Sequence, residues 1–497
     1  MDLDAYRASA EEFHQALDRE YYRHYGGLQD EYEIERIYDR HRELFTRASL
    51  DALREHAARA PDGSEEHRRH GMLVDFAVEG YIGEATKDLE AELARREASL
   101  TLELGDGTRL GFREAATALA NEPDADRRAQ IEAARLELLE RELRGLYGEL
   151  IERQHACARE LGWNSYREMC SDCKALDLDA LHAQTQSFSV RTRRLYPATV
   201  EPELERSLGF GLANLRRSDL PRFFRAQEQD TAFPVEQLLA SFEETMSGLG
   251  IDVRNQEGVV LDLEPRPKKS PRAFCAPVQT PGEVYLMLTP VGGREDFSVF
   301  FHEAGHTEHA AHVDPALPFE FRYLGDNAVT EAYAFLLQHL TENAEWLRRR
   351  LGIGDSEQLI AYARAQRLMY LRRYCAKLAY ELELHGPQAR AAPALADRYG
   401  ELLGEAVQIE WPKQTFLEDV DPGFYCACYL RAWTLETHLR AHLRERFGPA
   451  WFEEPEAGTV LRNLWREGQR LTPEELLAEL SGESLDFGVL LDDLALM

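Results

Sequence analysis

His302, Glu303 and His306 stand in the order H-E-x-x-H within Phe301-His302-Glu303-Ala304-Gly305-His306. On an α-helix, residues four apart share a face with Cβ atoms about 5 to 6 Å apart, so both imidazoles can converge on one metal ion. Glu303 lies about 100° further round the helix. Its carboxylate is thereby kept off the ion yet within reach of a water beside it, where a general base belongs. Zinc, one ion per chain, is the expected metal, because it brings the pKa of such a water to about 7.

Five residues are a pattern that chance can supply, and a catalytic zinc site needs a third protein ligand and an open position. Two residues compete for the third place. His312, ten residues after His302, stands where zincins of the HExxHxxGxxH type carry a third histidine. That pattern needs glycine at 309 to turn the chain, and here His309-Ala310-Ala311 favours continued helix. Glu331, 25 residues past His306, is the preferred ligand. Asp326 or Asn327 can cap a second helix there, with apolar positions 329, 332, 336 and 340, after a Pro315 to Pro318 loop long enough to reverse the chain. A hydrolase of this kind also needs a donor to the developing oxyanion. Tyr425 and Tyr429, four apart, can present two hydroxyls to one cleft, although core packing is the plainer reading of their spacing alone.

The elements that must position these residues are mostly helical. From Leu3 to about Asp179 apolar residues recur at helical spacing, most clearly from Ala125 to Leu161, with breaks expected at Gly145, Gly148 and Gly162. Residues 264–293 depart from that rhythm, with prolines at 265, 267, 271, 277, 281 and 290 around the β-type run Val284-Tyr285-Leu286-Met287-Leu288. A small sheet is expected there. Asp296 can then cap the helix that carries H-E-x-x-H to about Val313, before Pro315. With no repeat and no low-complexity linker, a soft boundary near residue 185 separates an N-terminal helical region, 1–185, from a catalytic region, 186–497.

Composition narrows the function classes. The balance of 89 acidic against 58 basic residues leaves a net charge of −31, which disfavours nucleic acids and anionic membranes as partners. No stretch approaches the roughly 18 apolar residues of a membrane helix. The opening Met1-Asp2-Leu3-Asp4-Ala5-Tyr6 lacks a secretory pattern, so a cytoplasmic location is expected. Seven cysteines without framework spacing read as free thiols of a reducing compartment. The lone Cys170-Ser171-Asp172-Cys173 pair and Cys426 with Cys428 are weak metal signals.

At these residues the chain resembles the thimet oligopeptidase and oligoendopeptidase F family of zinc metallopeptidases, which are gluzincins, HExxH enzymes with a downstream glutamate. Three blocks carry the likeness: Arg272-Ala273-Phe274-Cys275 with Val284 to Leu288, similar to the family's edge strand; His302-Glu303-Ala304-Gly305-His306-Thr307-Glu308-His309; and Phe424-Tyr425 to Tyr429. Leu161 to Tyr166 is more loosely similar. The family's histidine shortly before the tyrosines has no counterpart in Trp411 to Phe424. The resemblance implies a mainly α, two-lobed body with a deep substrate channel and a small β-sheet beside the HExxH helix. It implies zinc on His302, His306 and Glu331, Glu303 as base, substrate contacts from Tyr429 and Tyr425, and an endopeptidase acting on short peptides.

Carboxypeptidase Taq and angiotensin-converting-enzyme-like families share that helical architecture, so a carboxypeptidase or dipeptidyl carboxypeptidase is the alternative. It would need a cation for the substrate's C-terminus, and Arg431 is the candidate. A peptide-binding scaffold without activity is the non-enzyme alternative, against which Glu303 argues, because a structural site needs no base.

Overall fold

Asp2 caps the first helix, α1 (Leu3–Tyr25), by accepting from the backbone N–H groups of Asp4 and Ala5, and Tyr6, Ala10 and Phe13 form its buried stripe. The computed structural model describes residues 1–388 and 391–496. About 70% of the chain is helical, with two small sheets, so the fold is mainly α. No described helix is long and apolar enough to cross a membrane.

The chain forms two units, each assembled from separated segments: Met1–Gly80, Gln229–Ile360 and Arg431–Asp493 make the first, Tyr81–Glu228 and Ala361–Leu430 the bulk of the second. Residue 185 lies inside the helix Leu178–Arg191 of the second unit.

In the first unit, the strands β1 (Val259–Asp262), β2 (Phe274–Gln279) and β3 (Glu283–Met287) form a sheet of order β1-β3-β2. β1 runs parallel to β3, pairing Val259 with Val284 and Asp262 with Met287. β2 is antiparallel to β3, pairing Cys275 with Leu286 and Pro277 with Val284. The run Val284–Met287 is therefore in the central strand, and β2, like β1, is an edge. Proline is at home there, because Pro277 lacks a donor at a position whose N–H need not join the ladder. α1 packs on this sheet through Tyr22 stacked on Tyr285, with ring centroids 3.8 Å apart, and Tyr21 edge-on to Phe274 at 4.8 Å.

Helix α2 (Arg294–His312) follows the sheet. Asp296 accepts from the N–H groups of Val291 and Gly292, so it fixes the preceding loop rather than capping the helix; Gly293, at φ 98°, occupies the N-cap position. Phe297, Phe300 and Phe301 are fully buried and meet Phe233, Phe242 and Trp346 at 5.3, 5.2 and 5.1 Å. Side chains of this size contribute about 1.5–3 kcal/mol each when taken from water, enough to fix the helix's rotation. Helix α3 (Asn327–Gln338) is capped by Asp326, which accepts from Ala328 N–H, and buries Val329, Ala332 and Leu336.

The second unit holds the ribbon of Thr101–Glu103 and Arg109–Gly111 over a core that includes Leu102, Phe112, Ile131, Leu139 and Leu143. Helix Arg144–Glu160 runs unbroken through Gly145 and Gly148, joined to Ala125–Leu138 by a π-helical stretch at Leu139–Leu143. Packing overrides the two glycines, each of which costs only about 1 kcal/mol in a helix. Gly162, at φ 103°, does lie just past the helix end.

Candidate metal centre

Helices α2 and α3 approach each other at Gly305, where a Cβ would lie 2.5 Å from the Cα of Ala334 and 2.6 Å from the carbonyl oxygen of Tyr333. Only glycine permits that approach. It brings one face of α2, with His302 and His306, against Glu331 near the start of α3. The two imidazole rings stand 4.9 Å apart at 83°. Glu331 Oε2 lies 3.4 Å from His302 Nε2 and 3.8 Å from His306 Nε2. All three ligand atoms fall within 4.8 Å of one another. Zinc ligands at about 2.0–2.1 Å in a tetrahedron are separated by about 3.3 Å, so this donor set fits the ion.

Both imidazoles are held from behind. His302 Nδ1 lies 2.9 Å from Gln338 Oε1, while Gln338 Nε2 donates to Ser298 Oγ at 3.0 Å. Because the amide's donor faces Ser298, its oxygen accepts from His302, which places the ring proton on Nδ1 and the lone pair on Nε2. His306 Nδ1 meets Thr330 Oγ1 at 2.9 Å, a hydroxyl that orients this ring from behind. Sequence reasoning missed Gln338, Thr330 and Ser298. Gln338 follows Glu331 by seven residues, two helical turns, and that spacing was the available signal.

The electrostatics are those of two rings sharing one carboxylate. Burial works against a charged His302, but Glu331, by hydrogen bond and charge, raises its pKa overall. For His306 burial dominates, Glu331 offsets it only in part, and the pKa falls.

Glu303 is not one of the three clustered ligands, although both imidazoles feel its charge. Its Oε2 accepts from the backbone N–H of Cys275 on the edge strand β2, at 2.8 Å. Thr307 Oγ1 donates to the Glu303 carbonyl at 2.8 Å and steadies the same turn. β2 thus offers a substrate no donor at Cys275, whose N–H is engaged, and none at Pro277.

The competing residues go elsewhere. His312 Nδ1 donates to the Glu308 carbonyl at 2.8 Å, and its ring lies 5.2 Å from that of Trp465. Arg431 is buried and tied to Glu474 at 3.0 and 2.6 Å and to Asp326 at 2.5 Å, so it is no free anchor for a substrate carboxylate. Tyr425 and Tyr429 belong to the second unit and are half-buried rather than core residues. Their rings stand 5.0 Å apart at 78°, and Tyr374, which the sequence did not point to, joins them at 5.7 Å from Tyr429.

The seven cysteines are free thiols. Cys426 lies with Glu381 and Asp421 in a second cluster of potential ligand atoms, but the cation there is Lys377, whose Nζ is 2.7 Å from Asp421. No protein-family model matches this chain, and no curated protein matches it.

Proposed function

We propose that this chain is a zinc metallopeptidase that cleaves internal peptide bonds of short oligopeptides. One observation carries the reading: His302, His306 and Glu331 converge at separations suited to tetrahedral zinc, while the adjacent Glu303 is held outside that set. When bound, zinc supplies the Lewis acidity that polarises a peptide carbonyl and acidifies water to a pKa of about 7.

The chain's own groups do the rest. Gln338 and Thr330 hold the two imidazoles in orientation from their Nδ1 sides, leaving Nε2 toward Glu331. Glu303, on the hydrogen bond from Cys275, takes the proton of the attacking water and returns it to the leaving amine. Tyr425 and Tyr429 are proposed as hydroxyl donors to the oxyanion, and the preference for short peptides is proposed with them, both on the family resemblance. The exopeptidase reading loses support with Arg431 engaged by Glu474 and Asp326. A non-catalytic scaffold leaves the placement of Glu303 without a purpose.

The test is incubation of the zinc-loaded protein with a mixed peptide library, with products read by mass spectrometry before and after chelation. Internal cuts that vanish with chelator are expected. Absence of cleavage would overturn the peptidase, and stepwise C-terminal loss would replace it with the exopeptidase.

A further inference from the structure

Six arginines and lysines lie between Val259 and Gln338, the stretch that builds the sheet and both ligand helices. Five of them meet carboxylates: Arg266 and Lys269 on Asp262, Lys268 on Asp30, Arg294 on Glu342 and Arg322 on Glu11. Arg272 is the exception. Its backbone N–H is fixed by Ser270 Oγ at 3.1 Å, but its exposed guanidinium pairs with no acid among the described residues.

Its position ties it to the candidate centre. Arg272 precedes Cys275, whose N–H holds Glu303, by three residues, which extended chain spans in at most about 11 Å. Tyr21 of α1 lies edge-on to Phe274 between them and is 39% exposed. The Tyr21 hydroxyl has its pKa raised, first by burial and Tyr25, with Arg272 pulling it down and Glu303 pushing it up. Tyr21 therefore feels both the unpaired guanidinium and the proposed base. A cation left unpaired in a chain of net charge −31, three residues along the chain from the strand position that holds Glu303, matches the planar, bidentate chemistry of a carboxylate.

We propose that Arg272, beside Tyr21, is the substrate-carboxylate anchor of this site, selecting peptides with a carboxylate about two to four residues from the cleaved bond. The inference rests on the peptidase reading and narrows its substrate class. The carboxylate is a peptide C-terminus or an Asp or Glu side chain; the chemistry at Arg272 is the same.

The test measures binding without turnover. The zinc-loaded Glu303→Gln variant is titrated with three fluorescent forms of one peptide: a neutral C-terminal amide, the free acid, and an amide carrying one Glu. At least one carboxylate form is expected to bind about tenfold more tightly than the neutral amide, as a charge-assisted pair allows. The advantage should vanish in the Glu303→Gln/Arg272→Ala double variant and survive in part with Arg272→Lys, and the form that carries it names the source. Equal binding of all three, or an advantage that persists without Arg272, overturns the anchor. Wild-type cleavage of the neutral amide, run in parallel, separates the two failures: if it is cut, the peptidase stands without the anchor, and if it is neither bound nor cut, both fall.

Discussion

Gly305 meets Ala334 so closely that a methyl group on the glycine would fall 2.5 Å from the alanine Cα. The contact sets the distance between the helix carrying both histidines and the helix carrying Glu331. Gly305→Ala forces backbone apart rather than a flexible side chain, and overpacking of this kind costs about 1–3 kcal/mol. A lower melting temperature and zinc affinity weakened by at least about tenfold are expected together. Unchanged zinc affinity in a folded variant would separate the helix contact from the metal centre.

Gln338 and Thr330 hold the far nitrogens of His302 and His306, each at 2.9 Å. Removing such partners generally weakens metal binding by about 10- to 100-fold. Gln338→Ala and Thr330→Val should each do so in competition with a chromogenic chelator, with little change in unfolding temperature. Wild-type affinity in both would mean that the imidazoles need no orientation.

The tyrosine pair gives a kinetic prediction. Loss of an oxyanion donor costs about 10²–10³ in kcat, whereas loss of a packing hydroxyl costs far less. Tyr429→Phe is expected to lower kcat on that scale with KM little changed, and Tyr425→Phe to lower it less. Wild-type kcat in the double variant would remove both tyrosines from the chemistry.

Glu381 predicts a pH dependence. Burial, opposed by Lys377, pushes its carboxyl up from 4.5 to about 8, beside the Cys426 thiol at 3.2 Å and the Asp421 N–H at 2.9 Å. The folded state therefore keeps a proton that the unfolded state releases, so this group's stabilisation is full below about pH 4.5 and lost as pH rises through about 8. Unfolding temperature should fall over that range, and less steeply in Glu381→Gln. Parallel curves for the two proteins would show that Glu381 titrates normally.

How much of this the sequence shows depends on how local each feature is. His302, Glu303 and His306 follow from helical spacing, and Glu331 from a capping Asp326 and an apolar stripe, both readable within a dozen residues. The order of the sheet is not readable in that way. Val284–Met287 becomes central only because Val259–Asp262, separated from it by a stretch that holds the prolines 265, 267, 271, 277 and 281, pairs with its other side. The engagement of Arg431 depends on Glu474, 43 residues away, and on Asp326, 105 residues away. The two units, stitched from distant segments, leave no composition shift at a boundary.

The central claim separates metal holding from proton transfer, assigning the first to His302, His306 and Glu331 and the second to Glu303. Zinc content and peptide hydrolysis measured on the same preparations of wild type, Glu303→Gln and Glu331→Ala test it most directly. The account predicts one zinc per chain in wild type and Glu303→Gln, hydrolysis lowered by at least about 10²–10⁴ in Glu303→Gln, and loss of both zinc and activity in Glu331→Ala. Hydrolysis at the wild-type rate by Glu303→Gln, or full zinc occupancy in Glu331→Ala, would contradict it.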